Sequence, residues 1–259
     1  MTSERDTLRK FEIGGGVVRG DDPWELSLPP KDGDYANAQL DDHRQLPRSE
    51  FPWNPPVDLR LRARVEPAQP QGTFGFGFWN DPFAFSFGQA GAARRLPAAP
   101  QAVWFFYGSP PNDLSFTPGV PGDGWRAASL RTPRLPSWLL AAPAAAAAAL
   151  SALPLIRRPV IRLAKATVTA AERALPHAPD RWHEYRLRWT AGGVTFWVNG
   201  DRVLHAPSPP RGPLGFVAWI DNQYAAVTPT RGLRFGVLPT EAEQRLELQD
   251  LHISTGTSS

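Results

Sequence analysis

Between His183 and Asp201 the chain reads HEYRLRWTAGGVTFWVNGD, and no other segment limits the possible fold so strongly. Tyr185, Leu187 and Trp189 alternate with Arg186 and Arg188, and Val194, Phe196 and Val198 then alternate with Thr195 and Trp197. A period of two places successive side chains on opposite faces of an extended strand, so the segment predicts two half-buried strands joined by a tight turn. Asn199-Gly200 follows, a pair that tolerates positive φ and predicts the next turn. A hairpin with one apolar face is not stable alone and needs a second layer to cover it.

The same rhythm recurs along the 259 residues. Phe11-Glu12-Ile13, Trp24-Glu25-Leu26-Ser27-Leu28, residues 36–40 and residues 72–79 all read as strands. In residues 57–65, Val57, Leu59, Leu61, Ala63 and Val65 share one face and Asp58, Arg60, Arg62 and Arg64 the other, the pattern of an antiparallel strand with one wet face. Thr73-Phe74-Gly75-Phe76-Gly77-Phe78-Trp79 and Ala102-Val103-Trp104-Phe105-Phe106-Tyr107 are apolar on both faces. Such strands have a core on one side and something else on the other. Later strands are expected at residues 214–221, 233–237 and 245–253, with Pro/Gly groups such as Pro207-Ser208-Pro209-Pro210 between apolar runs. One all-β domain spanning residues 1–259 is expected.

Residues 135–175 break this rhythm. Leu135-Pro136-Ser137-Trp138-Leu139-Leu140 and the alanine run at 144–149 favour helix, and Ile156, Val160, Leu163, Ala164, Thr167, Val168 and Ala171 recur at helical spacing. A helical insertion is therefore expected at about 135–175, inside a departure from the β pattern over 125–178. Its apolar residues Trp138, Leu139, Leu140 and Leu150 would form a lid. The alternative is peripheral membrane contact through 135–165, anchored by Arg157, Arg158, Arg162 and Lys165.

Composition narrows the chemistry. No cysteine is present, which excludes a disulfide framework and a cysteine metal site. The net charge is only +3 and no polybasic stripe occurs, so nucleic acid is not an expected partner. The start, Met1-Thr2-Ser3-Glu4-Arg5-Asp6, lacks an apolar run behind a basic end, which points to the cytoplasm, with membrane association as the alternative. His43, His177, His183, His205 and His252 are scattered, so neither a metal nor a cofactor is expected.

Three features in order resemble the concanavalin A-like jelly-roll sandwich: the long amphipathic strand, the glycine-containing aromatic strand, and the pair His183-x-Tyr185-x-x-x-Trp189 and Val194-Thr195-Phe196-Trp197-Val198-Asn199-Gly200. Within that superfamily the pair is most similar to laminarinase-type glucanases. The resemblance covers residues 180–253 and 55–107 and is absent over 125–178. It implies a jelly-roll β-sandwich and, in the active relatives, a Glu-x-Asp-x-x-Glu strand whose carboxylates cleave glycosidic bonds. By order along the chain that strand is Gln101-Ala102-Val103-Trp104-Phe105-Phe106-Tyr107-Gly108, which has no carboxylate. Hydrolysis by the family mechanism is not expected.

An aromatic groove takes the place of the charged one. Its lining is expected from Phe76, Phe78, Trp104, Phe106 and Trp219, or from the alternate-face set Trp79, Phe105 and Tyr107. Polar residues next to these rings complete the candidate ligand contacts: Gln39 and Asp41 on one alternating face with Asn37, Asn80 and Asp81 after Trp79, and Asp221 and Gln223 on the face of Trp219. Aromatic walls with a few convergent polar groups suit a binding protein for a hydrophobic small molecule or a glycan. An enzyme of isomerase, cyclase or atypical carbohydrate-active type would use Asp221 or Asp81 as general acid or base. In a third reading the apolar insertion is a membrane-surface or oligomer contact and no small ligand binds.

Overall fold

The computed structural model describes residues 8–82, 98–133, 165–228 and 232–256. Two antiparallel seven-stranded sheets carry the fold. The inner sheet contains β1 (Arg9–Ile13), β4 (Asn37–Asp41), β13 (Gly215–Asp221), β6 (Thr73–Trp79), β7 (Ala102–Gly108), β8 (Gly124–Arg131) and β9 (Thr169–Ala174), in that spatial order. The outer sheet runs β12 (Asp201–Ala206), β11 (Gly193–Val198), β10 (His183–Thr190), β5 (Val57–Glu66), β16 (Gln244–Thr255), β3 (Trp24–Leu28), β2 (Val17–Gly20). A separate ribbon pairs β14 (Gln223–Thr228) with β15 (Gly232–Val237).

The alternation in the sequence sets the register of the outer sheet. Tyr185, Leu187 and Trp189 lie opposite Val198, Phe196 and Val194 on one side and opposite Leu61, Leu59 and Val57 on the other. All nine side chains therefore share one face, and all are buried. A slip by one residue would turn Arg60, Arg186 and Arg188 into the core, so burial itself specifies the pairing. Asn199 and Gly200 take φ of 51° and 85° at the turn after β11.

Against this face the inner sheet sets Phe74, Phe76, Phe78, Phe105 and Phe216, each with at most 1% of its surface exposed. Their rings interlock with the opposing layer: Phe105 meets Phe196 edge-on at 5.3 Å and Tyr185 at 4.9 Å, and Phe76 meets Tyr185 at 5.1 Å. Aromatic pairs prefer such tilted contacts, and each fully buried ring contributes about 1.5–3 kcal/mol through burial alone.

The helical expectation over 135–175 is corrected where residues are described. Thr169–Ala174 is a strand, and only Lys165 and Ala166 just before it are helical. The start of the wider departure at 125 also proves to be sheet, since Gly124–Arg131 pairs along β7. Thr167, Val168 and Ala171 show helical spacing, but helix propensity is a weak preference, and the open edge of β8 offers residues 169–174 a full ladder of hydrogen bonds. The remainder of the expected insertion, including Trp138, Leu139, Leu140 and Leu150, lies outside the described residues. Among the described residues no helix is long and apolar enough to cross a membrane.

Candidate functional site

Strand pairing decides which rings leave the core. Phe76 sits opposite Phe105, whereas Trp104 sits opposite Gly77 and Phe106 opposite Gly75. Trp219 in turn lies opposite Gly75 on the other flank of β6. Phe106, Val217 and Trp219 thus form a second buried apolar cluster on the outward face of the inner sheet, with the partly buried Trp79, Trp104 and Leu114 packed against it. The two glycines of β6 make room for it. A Cβ at Gly75 would lie 2.7 Å from Cη2 of Trp219, and one at Gly77 would lie 2.6 Å from Cα of Trp104. Gly77 also has φ of 149°, where only glycine is unstrained.

The rings form a continuous platform. Trp79 and Trp219 are nearly parallel, 8° apart at 6.3 Å, and Trp104 is tilted against both, by 38° at 6.0 Å from the first and by 45° at 5.5 Å from the second. Phe106 extends the platform, 5.4 Å from Trp104. Two hydrogen bonds fix the indole planes. Trp219 Nε1 donates to Thr73 Oγ1 at 2.9 Å, and the Thr73 hydroxyl donates to Asp221 Oδ1 at 2.7 Å. Trp79 Nε1 donates to His43 Nε2 at 3.0 Å. Indole N–H only donates, so His43 Nε2 is the acceptor and its Nδ1 carries the proton toward the Phe216 carbonyl at 3.0 Å.

Above the platform is a cavity of about 250 Å³, lined by Trp79, Trp104, Phe106 and Trp219 and rimmed by polar groups that include Asn37, Gln39, Asp81, Asp221 and Gln223. The ionisation of Asp221 is perturbed. Burial is the largest influence and pushes its carboxyl up to about 6, while hydrogen bonds from Thr73 and the Gln223 amide hold it back. Burial likewise pushes the Tyr35 phenol far above its ordinary range, and the Asp221 charge adds to the effect.

Most of the sequence candidates gather here, with four qualifications. Phe78 and Tyr107 face the inter-sheet core, because the pleat sends them to the side opposite Trp79 and Phe106. Phe76 and Phe105 share that fate, so each expected lining set mixed the two faces. Asp41 is fully buried in holding a turn, accepting from the His43 and Arg44 amides and from Gln39 Nε2. Asn80 ties the ends of β6 and β7, accepting from the Gln101 amide and donating to the Ala99 carbonyl. Sequence reasoning did not reach Thr73, Tyr35 or Leu114. Thr73 was accessible from alternation with Gly75 and Gly77, whereas Tyr35 and Leu114 come from loops that no periodicity marks.

No carboxylate stands on β7, which supplies Trp104 and Phe106 to the cleft. Among the described residues no group of three or more His, Cys, Asp or Glu could hold a metal ion.

No family model and no curated protein sequence matches the chain. Solved structures do match. A glycoside hydrolase family 16 endo-glucanase from Bacteroides ovatus aligns over 98% of this chain and 97% of its own, with a TM-score of 0.51 and 9% identity. A Mycobacterium tuberculosis protein described as an immunostimulatory antigen and pseudo beta-1,3-glucanase aligns over 91% of this chain and 79% of its own, with a TM-score of 0.48 and 10% identity. This chain also spans 17% of the length of a sialidase, with a TM-score of 0.44 and 9% identity. The chain therefore shares the two-sheet antiparallel sandwich fold of that family 16 endo-glucanase.

Proposed function

We propose that the protein is a glycan-binding jelly roll that holds a sugar chain on the Trp79, Trp104, Phe106 and Trp219 platform without cleaving it. The observation that carries this reading is the floor of the cleft, where β7 presents Trp104 and Phe106 and no carboxylate. Retaining glycoside hydrolysis needs two carboxyl groups about 5–5.5 Å apart, and a floor of rings offers flat apolar faces instead. Gln39, Asn37 and Gln223 on the rim suit the hydroxyl edge of a sugar whose C–H face lies on indole. The endo-glucanase with this fold acts on a glucan, which makes glucan oligosaccharides the first ligands to test.

Tryptophan fluorescence titration and calorimetry with glucan oligosaccharides, alongside an assay for released reducing ends, test the proposal. Binding without release is expected, and Trp104→Ala should weaken it about tenfold or more, as loss of a central aromatic contact does. Binding of an aliphatic or aromatic probe but of no oligosaccharide would assign the cleft to hydrophobic small molecules and sink the glycan reading. A second reading rests on the Asp221 carboxyl at about 6, poised to exchange a proton near neutrality. Turnover of any bound ligand that Asp221→Asn abolishes while affinity survives would establish that reading.

A further inference from the structure

The aromatic platform continues past Phe106 into a second cavity, of about 100 Å³, over β8 and β9. Trp79, Trp104, Phe106 and Leu114 line both cavities, so one floor serves the two. Their walls differ in chemistry. The first carries Asn37, Gln39, Asp221 and Gln223 beside its rings, whereas Pro100, Phe116, Ala128 and Leu130 wall the second, whose surface is almost wholly apolar.

The polar residues around the second cavity are engaged with the protein itself. Arg126 is 2% exposed, its Nη2 donates to the Gly122 carbonyl, and its Nε and Nη1 are sealed from any guest. Its guanidinium carbon lies 5.4 Å from the centre of the Phe106 ring. Glu172 Oε2 accepts from the Phe116 and Thr117 amides, both at 2.7 Å, and from Ser115 Oγ at 3.2 Å, while Oε1 faces Arg126 Nη1 at 3.7 Å. Lys165 Nζ donates to the Ser115 carbonyl at 2.9 Å and lies 5.9 Å from the Phe116 ring centre. Gln101, also in the wall, pairs its main-chain amide and carbonyl with Asn80. A hydroxyl placed here would give up its bonds to water with poor replacement, whereas an apolar group would give up none.

Size also decides against a second sugar ring. An apolar cavity of about 150 Å³ lined by Leu, Ile and Phe stays dry and accepts benzene, so on that scale a cavity of about 100 Å³ takes about four carbons. A glucosyl unit is far larger. The shared floor supplies the link, because a group bonded to a sugar on Trp104 and Phe106 reaches the second cavity without leaving apolar surface.

We infer that the cavity over β8 and β9 is a subsite for a short apolar aglycone, so that the ligand is an amphiphilic glycoside whose sugar lies on the aromatic platform and whose alkyl group lies against Phe116, Ala128 and Leu130. This inference rests on the glycan reading of the cleft and names the group attached to the sugar. Calorimetry with cellobiose and its methyl, propyl, butyl, hexyl and octyl β-glycosides, all below micelle-forming concentration, tests it. Affinity should rise about three- to fourfold for each methylene from methyl to butyl, the scale of burying a methylene, and then level off as the cavity fills. Ala128→Leu fills the cavity from β8 and should bring the butyl-to-methyl ratio close to one. Leu130→Ala widens the cavity and should move the levelling to the hexyl glycoside, so either variant that melts cooperatively gives a readout. Equal affinity across the series would overturn the subsite and leave the glycan reading standing. A rise that continues unbroken to octyl would also overturn it, since an open apolar surface has no such limit, as would a full butyl preference surviving in Ala128→Leu. Failure of cellobiose and of every glycoside to bind would overturn both readings.

Discussion

Replacing Asp221 by Asn should stabilise the protein at neutral pH by an amount that grows as pH rises from 4 to 7. Asp221 is 7% exposed, and burial raises its carboxyl from 3.8 to about 6. Its pKa is higher in the folded state than in the unfolded chain, so folding favours the protonated acid. That stability is fully present below about pH 4 and disappears as pH climbs through 6. A shift of about two units corresponds to about 3 kcal/mol between those limits. The Asn side chain removes the charge but keeps an oxygen that accepts from Thr73 Oγ1 and the Gln223 amide, so the support beneath Trp219 survives. The assay is urea denaturation of both proteins at unit steps from pH 4 to 8, read as the difference between them so that groups common to both cancel. The expected difference is near zero at pH 4 and about 2–3 kcal/mol in favour of the Asp221→Asn variant above pH 7. A difference that stays flat across the range would show that Asp221 titrates as an ordinary carboxylate and refute the desolvation argument.

Two further outcomes follow from the packing. Gly77→Ala should destabilise the fold by about 2 kcal/mol or more, because the added methyl meets Trp104 Cα at 2.6 Å on a backbone with φ of 149°; thermal melting reads it, and a loss below about 0.5 kcal/mol would contradict the rigid seating of Trp104 over β6. His177 is pushed down to about 4, first by burial and then by His183, and its Nε2 accepts from Trp125 Nε1 at 3.1 Å. Its folded value lies below the unfolded 6.5, so stability present above 6.5 is lost as pH falls toward 4; His177→Gln should reduce that loss, and identical acid profiles for both proteins would count against it.

What the sequence determined by itself was the pattern of faces. A strict period of two in Tyr185-x-Leu187-x-Trp189, Val194-x-Phe196-x-Val198 and residues 57–65 sets which side chains share a face, so the hairpin of β10 and β11 and the buried face of β5 were legible residue by residue, whereas the jelly-roll class came from the family resemblance. Tertiary structure decided everything that depends on two strands meeting. Phe74-Gly75-Phe76-Gly77-Phe78-Trp79 and Val103-Trp104-Phe105-Phe106-Tyr107 are apolar on both faces, so periodicity cannot say which rings point outward. The register that sets Trp104 against Gly77 and Phe106 against Gly75 does say it. Likewise residues 169–174 read as helix from their spacing and became an edge strand, because the open ladder of β8 outweighs a weak local preference. Arg126 and Glu172, far apart in the chain, became a buried pair only when β8 and β9 lay side by side. Alternation along one strand is a local property written in one dimension, whereas a site is made where neighbouring strands bring distant residues into contact.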